Sequence, residues 1–407
     1  MTVGPRGAEL RRILMTVDAV GGVWRYALDL ADGLRQHGIE TVFAVFGPAP
    51  SAAQVREAEA IGKLVSCDAP LDWMVEDEAA LKDVPNIIAD LAVSEGADLI
   101  HLNLPSQAAN LAVSLPVVVV SHSCVATWFK AVRGMGVSEP WQWQLALNAR
   151  GLERADAVLA PSQSYAALMR EVYRPVSGLQ VVPNASKVPM ADGPKQELVF
   201  AAGRWWDDGK NGAVLDKAAA DIRWPVVMVG SNSGPNGQYL PLENVQHHGE
   251  LAHGEAMKLM ARSAIVVSPS VYEPFGLAAL EAARAGAALV LADIATYREL
   301  WGDTAVFFDP RDPKALAEAV NRLADDPSLR RELGERAQSR SLDFTFEAQA
   351  LAVAQIYRQL LPATQSLSLQ RSKHEVPLLH AFADFGLEPR QRPLPARRDA
   401  RPGAARP

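Results

Sequence analysis

Short apolar runs alternate with amphipathic stretches along almost the whole chain, and this alternation most restricts what it can fold into. RRILMTV (11–17) reads as a strand. Gly21 and Gly22 then open a helix through about Gln36, with Ala27, Leu30, Ala31 and Leu34 at helical spacing. TVFAVFG (41–47), ADLIHLN (97–103), PVVVVSH (116–122) and ADAVLAPS (155–162) are further strands, each followed by polar or small residues and then a helical pattern. Apolar strands separated by helices predict a parallel sheet covered on both faces, an α/β fold. PNASKVPMADGPKQE (183–197) interrupts the series and reads as a linker. The pattern then restarts with strands LVFAAGR (198–204), PVVMVGS (225–231), SAIVVSPS (263–270) and AALVLADI (287–294), followed by helical stretches at 313–324 and 346–361. The expected organisation is two Rossmann-like domains, 1–185 and 186–342, facing across a cleft. A helix at 343–362 packs back on the first domain, and a Pro- and Arg-rich tail at 363–407 is expected to be disordered.

The 407 residues suffice for two such cores. The net charge of −7 argues against general nucleic-acid binding. The two cysteines, Cys67 and Cys124, form neither a metal-ligand spacing nor a disulfide framework, which fits a reducing cytoplasm. The longest apolar run, LAVSLPVVVV at 111–120, is too short to span a bilayer and contains Pro116. Peripheral contact with the inner membrane face stays open.

Ligands of open α/β sheets bind beyond the carboxyl ends of the strands. At such an end lies VVSPSVYEPFGLAALEAARAG (266–286): a strand, a loop, then a helix opened by Phe275 and Gly276. The free N–H groups around Gly276, Leu277 and Ala278 form an anion site, and Gly276 removes the Cβ that would hold a phosphate away. Glu273 precedes this site and Glu281 follows it. Two carboxylates repel phosphate, but they suit a ligand with hydroxyls on either side of its phosphates, as a sugar nucleotide has. Taken alone, either glutamate also reads as a solvent-facing acid.

The string EPFGLAALE resembles the hallmark Glu-x7-Glu segment of the retaining GT-B glycosyltransferases, family-four group. The resemblance implies an acceptor side in 1–185 and a nucleotide-sugar donor side in 186–342. It implies that Glu273 binds donor-sugar hydroxyls, that Glu281 binds ribose, and that backbone groups of Phe275, Gly276 and Leu277 hold sugar or phosphate. It also assigns Gly230 and His248 to the donor side, the latter in VQHHGEL (245–251), and Gly22 of GGVWRY to the first-strand glycine loop.

In AAGRWWDDGKNG (201–212), Arg204 follows a strand and Lys210 stands six positions later, so two cations can neutralise a departing diphosphate. The resembling family usually has one residue fewer between them. The string is not a nucleotide-triphosphatase phosphate loop, because five residues separate Gly203 from Gly209 and Asn211 follows the lysine. His122, in SHSC (121–124), ends an apolar strand, and by resemblance a histidine there meets the transferred sugar. Relatives often carry a second histidine two residues after the His101 position, where this chain has Asn103. The acceptor-side candidates are Trp24, Trp128, Lys130 and Arg133. The last three lie in VATWFKAVRGMGVSEPWQWQ (125–144), which reads equally as apolar helices packing into the domain.

No Asp-x-Asp occurs, so with Arg204 and Lys210 present no metal or other cofactor is expected. The implied activity is retaining transfer from a nucleotide-diphosphate sugar to a carbohydrate or glycolipid hydroxyl. A sugar phosphorylase or a non-catalytic nucleotide-sugar binding protein on the same fold are the alternatives.

Overall fold

The computed structural model describes residues 10–234 and 237–361, so the expectation for the tail at 363–407 lies outside the described residues. Seven strands build the first sheet: β1 (Arg12–Asp18), β2 (Glu40–Phe46), β3 (Lys63–Ser66), β4 (Leu99–Leu102), β5 (Val117–Val120), β6 (Ala157–Ala160) and β7 (Leu179–Val181). Their order is β3-β2-β1-β4-β5-β6-β7. Six more build the second: β8 (Gln196–Ala202), β9 (Val226–Val229), β10 (Gln246–His247), β11 (Ser263–Ser268), β12 (Ala288–Ala292) and β13 (Ala305–Phe308), in the order β10-β9-β8-β11-β12-β13. Every ladder between these strands is parallel.

Central strands such as Val117–Val120 and Ala288–Ala292 are buried at every position, because helices cover both faces. The strands absent from the sequence reading, β3, β7, β10 and β13, all lie at sheet edges. Edge strands are half-solvated on one side, so β3 (KLVS), β7 (LQV) and β10 (QH) lack the continuous apolar run that marks a central strand, whereas β13 (AVFF) has one.

The helix Phe346–Leu360 returns to the first domain. Its Ala350, Val353, Ala354, Ile356 and Tyr357 complete the core formed with Trp24, Leu28, Leu30 and Leu34. Tyr357 reaches furthest, with its hydroxyl 2.6 Å from Nδ1 of the fully buried His101. Opposite the linker side, Glu299 of the second domain accepts the backbone N–H groups of Gln163 and Ser164 at 2.8 and 2.6 Å. It thereby caps the helix Gln163–Tyr173 of the first domain, where a carboxylate also complements the helix dipole. Ser162 donates to the Pro274 carbonyl at 2.7 Å beside it, so the loop carrying Glu273 is tied to the first domain.

Candidate active site

Two helix starts face one another between the domains. The helix Gly22–Arg35 follows β1, and the helix Leu277–Arg284 follows β11. A methyl group at Gly22 would lie 3.5 Å from Leu277 Cδ1. Neither helix has a side-chain cap at its N-cap glycine, Gly21 or Gly276. Uncapped N–H groups of both helices therefore converge, and their dipoles favour a negatively charged ligand. Gly276 is required twice over. Its φ is +90°, and a Cβ there would sit 2.7 Å from the Tyr297 ring.

Phe275 is 2% exposed and meets Phe344 edge-on, so only its backbone faces the loop. Glu273, two residues earlier, forms an ion pair with Lys210, and both side chains are largely buried. Asp208–Lys210 form one 3₁₀ turn, and Asn211 follows in the left-handed region at φ 54°. Asn211 Nδ2 donates to the Pro269 and Pro310 carbonyls at 3.0 and 2.8 Å, which holds that conformation. Six positions after Arg204, Lys210 still reaches Glu273. Arg204 is more exposed, lies over the Trp206 ring at 5.5 Å and stands 3.8 Å from Asp207.

Glu281 is 7% exposed, and one of its oxygens lies 3.2 Å from His253 Nε2. Arg25 and Asp29, on the helix after the glycine loop, are within electrostatic reach of it from the other domain. Gly230 is already occupied on both sides. Its N–H donates to the Gly249 carbonyl at 2.7 Å, and its carbonyl lies 2.7 Å from His247 Nε2. A Cβ at Gly230 would sit 2.0 Å from the Gly203 carbonyl oxygen, so glycine there permits the close approach of two strand-end turns. His248 likewise commits its N–H, to Met228, which leaves its exposed ring and its carbonyl.

His122 Nε2 lies 2.8 Å from Asn103 Oδ1. Asn103 donates through Nδ2 to the Thr16 carbonyl at 2.6 Å, so its Oδ1 must accept. The proton of neutral His122 is then on Nε2, and Nδ1 remains an acceptor. Its enclosed surroundings, and secondarily His101, lower the His122 pKa to about 3, so the ring is neutral at physiological pH. Tyr26 packs edge-on against it at 4.3 Å.

The acceptor-side candidates divide. Trp24 is 4% exposed and belongs to the first-domain core, so its ring offers no face to an acceptor. Its place in the helix Gly22–Arg35 directs it inward, a helical phase that the glycine loop alone did not reveal. Lys130 pairs with Glu171 at 2.6 Å within the first domain. Trp128 and Arg133 instead reach the cation loop of the second domain.

Asp18, Asp207 and His253 were missing from the sequence reading, and Asn103 stood in it only as a replaced histidine. Asp18 ends β1, is 5% exposed and accepts the Val20 N–H at 2.9 Å. Burial raises its pKa to about 6, against the opposing pull of Arg204. A carboxylate directly before the glycine pair was its available signal. Asp207 and His253 carried none, because their partners Trp128 and Glu281 are remote in sequence. Among the described residues, no group of three or more His, Cys, Asp or Glu side chains could hold a metal ion, and both cysteines are free. Also among them, no helix is long and apolar enough to cross a membrane.

Comparison with known proteins bears on the family and the fold. The family model of glycosyl transferases group 1 matches residues 194–340, and that of glycosyltransferase family 4 matches 20–186. The chain belongs to the group-1 glycosyltransferases of the GT-B fold. This glycosyltransferase is 43% identical over 112 residues to a glycogen synthase of Mycobacterium tuberculosis, a match covering 27% of each chain. It is 32% identical over 176 residues to a D-inositol 3-phosphate glycosyltransferase of Corynebacterium jeikeium, covering 38% of this chain and 42% of that one. These matches span well under two thirds of the relatives' length. Among solved structures, sucrose-phosphate synthase of Thermosynechococcus elongatus shares the fold with a TM-score of 0.70 at 21% identity, over 86% of this chain and 99% of that one. Anabaena Alr3699/HepE in complex with UDP-glucose does so with 0.66 at 18%, over 86% and 99%.

Proposed function

We propose that this glycosyltransferase moves a sugar from a nucleoside-diphosphate sugar to a carbohydrate or glycolipid hydroxyl, with retention at the anomeric carbon and without a metal. The observation that carries this reading is the Lys210–Glu273 pair beside two uncapped helix starts, where a cation, a carboxylate and free N–H groups meet. A diphosphate entering between the helix starts draws Lys210 to itself and frees Glu273 to accept sugar hydroxyls. One Glu281 oxygen is held by His253, which leaves the other for a ribose hydroxyl. Neutral His122 offers Nδ1 to a hydroxyl of the transferred sugar.

The bond from the anomeric carbon to the diphosphate oxygen breaks, and its electron pair stays on that oxygen. Lys210, Arg204 and the N–H groups stabilise the charge. The acceptor oxygen bonds to the anomeric carbon from the same face, and its proton passes to the departing diphosphate. Glu273 orients the sugar and stabilises developing positive charge, and forms no covalent intermediate.

UDP-glucose is the first donor to try, given its presence in a complex of a protein with this fold. UDP-, ADP- and GDP-glucose should be compared for protection against thermal unfolding. The cognate base at about one hundred times its Kd stabilises by about 2.7 kcal/mol. Product NMR then reads the anomer, and a chelator tests for metal. An inverted product overturns retention, and activity abolished by the chelator overturns metal independence. No protection by any of the three argues against the assigned nucleotide site.

A further inference from the structure

We infer that Thr127, Trp128 and Arg133 of the first domain are positioning residues that set Lys210 and Glu273 in register from across the cleft. The inference rests on the proposed reading of the donor site and assigns these side chains away from acceptor binding.

The segment begins as a single α-turn, Val125–Trp128, and widens into a π-turn, Phe129–Arg133, which ends at Gly134 with φ 67°. In an α-helix, side chains five residues apart point about 140° away from one another. The wider π-turn brings Trp128 and Arg133 together, with the guanidinium 4.9 Å from the indole centroid. Both then face the second domain. Trp128 Nε1 donates to Asp207 Oδ1 at 2.9 Å, and Arg133 pairs with Asp208.

Asp207 is the joint between that contact and the donor cations. Its Oδ1 also accepts the Gly209 N–H at 2.8 Å, and its backbone carbonyl accepts the Lys210 N–H at 2.9 Å. Its other carboxylate oxygen stands 3.8 Å from Arg204. The Gly209 carbonyl accepts the N–H groups of Val271 and Tyr272 at 2.9 and 3.3 Å, directly before Glu273. The Tyr272 hydroxyl closes the circuit, 2.8 Å from Thr127 Oγ1. One short first-domain segment therefore grips both loops that supply the Lys210–Glu273 pair. The grip is close: a Cβ at Gly209 would lie 2.9 Å from Trp128 Nε1. With the domains apart, Asp207 loses the indole and Asp208 loses its guanidinium, and the cation loop is released. The leaving-group cation is then in register only when the cleft is shut, which restricts loss of donor to water.

The test uses the full chain and two readouts. Trp128→Phe keeps the ring and deletes the N–H. Amide hydrogen exchange at Asp207–Lys210 should speed up in it by about tenfold, with the Gln163–Tyr173 helix unchanged. In turnover of whichever of UDP-, ADP- or GDP-glucose the parent uses, kcat should fall by about tenfold, while donor and acceptor KM stay within about twofold. Gly209→Ala, which presses on the same contact from the other side, should behave alike. Arg133→Asp should show a smaller loss that Asp208→Arg, added to it, restores in part. Parent-like exchange in Trp128→Phe and Gly209→Ala overturns the inference, as does a defect confined to acceptor KM, which marks acceptor contacts. Full turnover by Lys210→Ala instead sinks the donor-site reading, whatever the exchange data show.

Discussion

Lys210 and Glu273 are joined in an ion pair although 63 positions separate them in the chain. One comes from the loop after β8 and the other from the loop after β11, adjacent strands whose carboxyl ends lie side by side. The pair is shielded, with side chains 23% and 12% exposed, so it is more than a surface contact. It holds a cation and a hydroxyl acceptor in readiness where the two helix starts meet.

Removing the cation should therefore act on turnover. Lys210→Ala is expected to lower kcat by about a hundredfold or more, the scale for losing one group that stabilises developing negative charge. Nucleoside-diphosphate affinity, measured by calorimetry, should fall much less. A variant that loses only affinity would reassign Lys210 to ground-state binding.

Glu281 should act on affinity. Glu281→Ala removes a buried charged acceptor for ribose hydroxyls, an interaction of about 1.5–3 kcal/mol, so donor KM should rise by about tenfold to a hundredfold. His253→Ala leaves the carboxylate but frees its rotamer, and should give a smaller rise in the same constant. Unchanged donor KM in Glu281→Ala would place the ribose elsewhere.

Asp18 makes stability depend on pH. Burial raises its folded-state pKa from 3.8 to about 6, so between these values the folded chain binds more protons than the unfolded one. Its contribution to stability falls as pH rises from about 4 to about 6 and stays unfavourable above that, by up to about 3 kcal/mol. Asp18→Asn keeps an acceptor for the Val20 N–H. It should raise the melting temperature at pH 7 and lose that advantage by pH 4. Equal shifts at both pH values would count against the buried charge as the cause.

Tyr357 should matter to the first domain despite lying near the end of the described chain. Tyr357→Phe leaves the buried His101 Nδ1 without its hydroxyl partner, at a cost of about 1–3 kcal/mol in unfolding free energy. Denaturant titration measures it, and an unchanged midpoint would show that the contact adds nothing.

The first two variants rest on residues legible from the sequence. EPFGLAALE combines a helix start, a glycine and two acids within one stretch, so local rules reach it. Arg204 and Lys210 were legible as charge, but only the structure showed that Lys210 at this longer spacing reaches Glu273. Trp24 went the other way. Its neighbouring glycine pair suggested a ligand loop, whereas its helical phase turned it into the core. Asp207 was invisible, because it acts through Trp128 on another element, and Asn103 was legible as a replaced histidine but not as the partner of His122.

The sequence by itself determined the two α/β domains, the central strands and the helix whose start carries free N–H groups. These follow from the alternation of buried runs and from backbone groups left free at a helix start, both of which are local. Only the tertiary structure decided that Lys210 meets Glu273, that His253 holds Glu281, and that Trp128 and Arg133 serve the opposite domain. Those contacts come from strand order and the approach of two domains, which bring together side chains with no fixed relation along the chain.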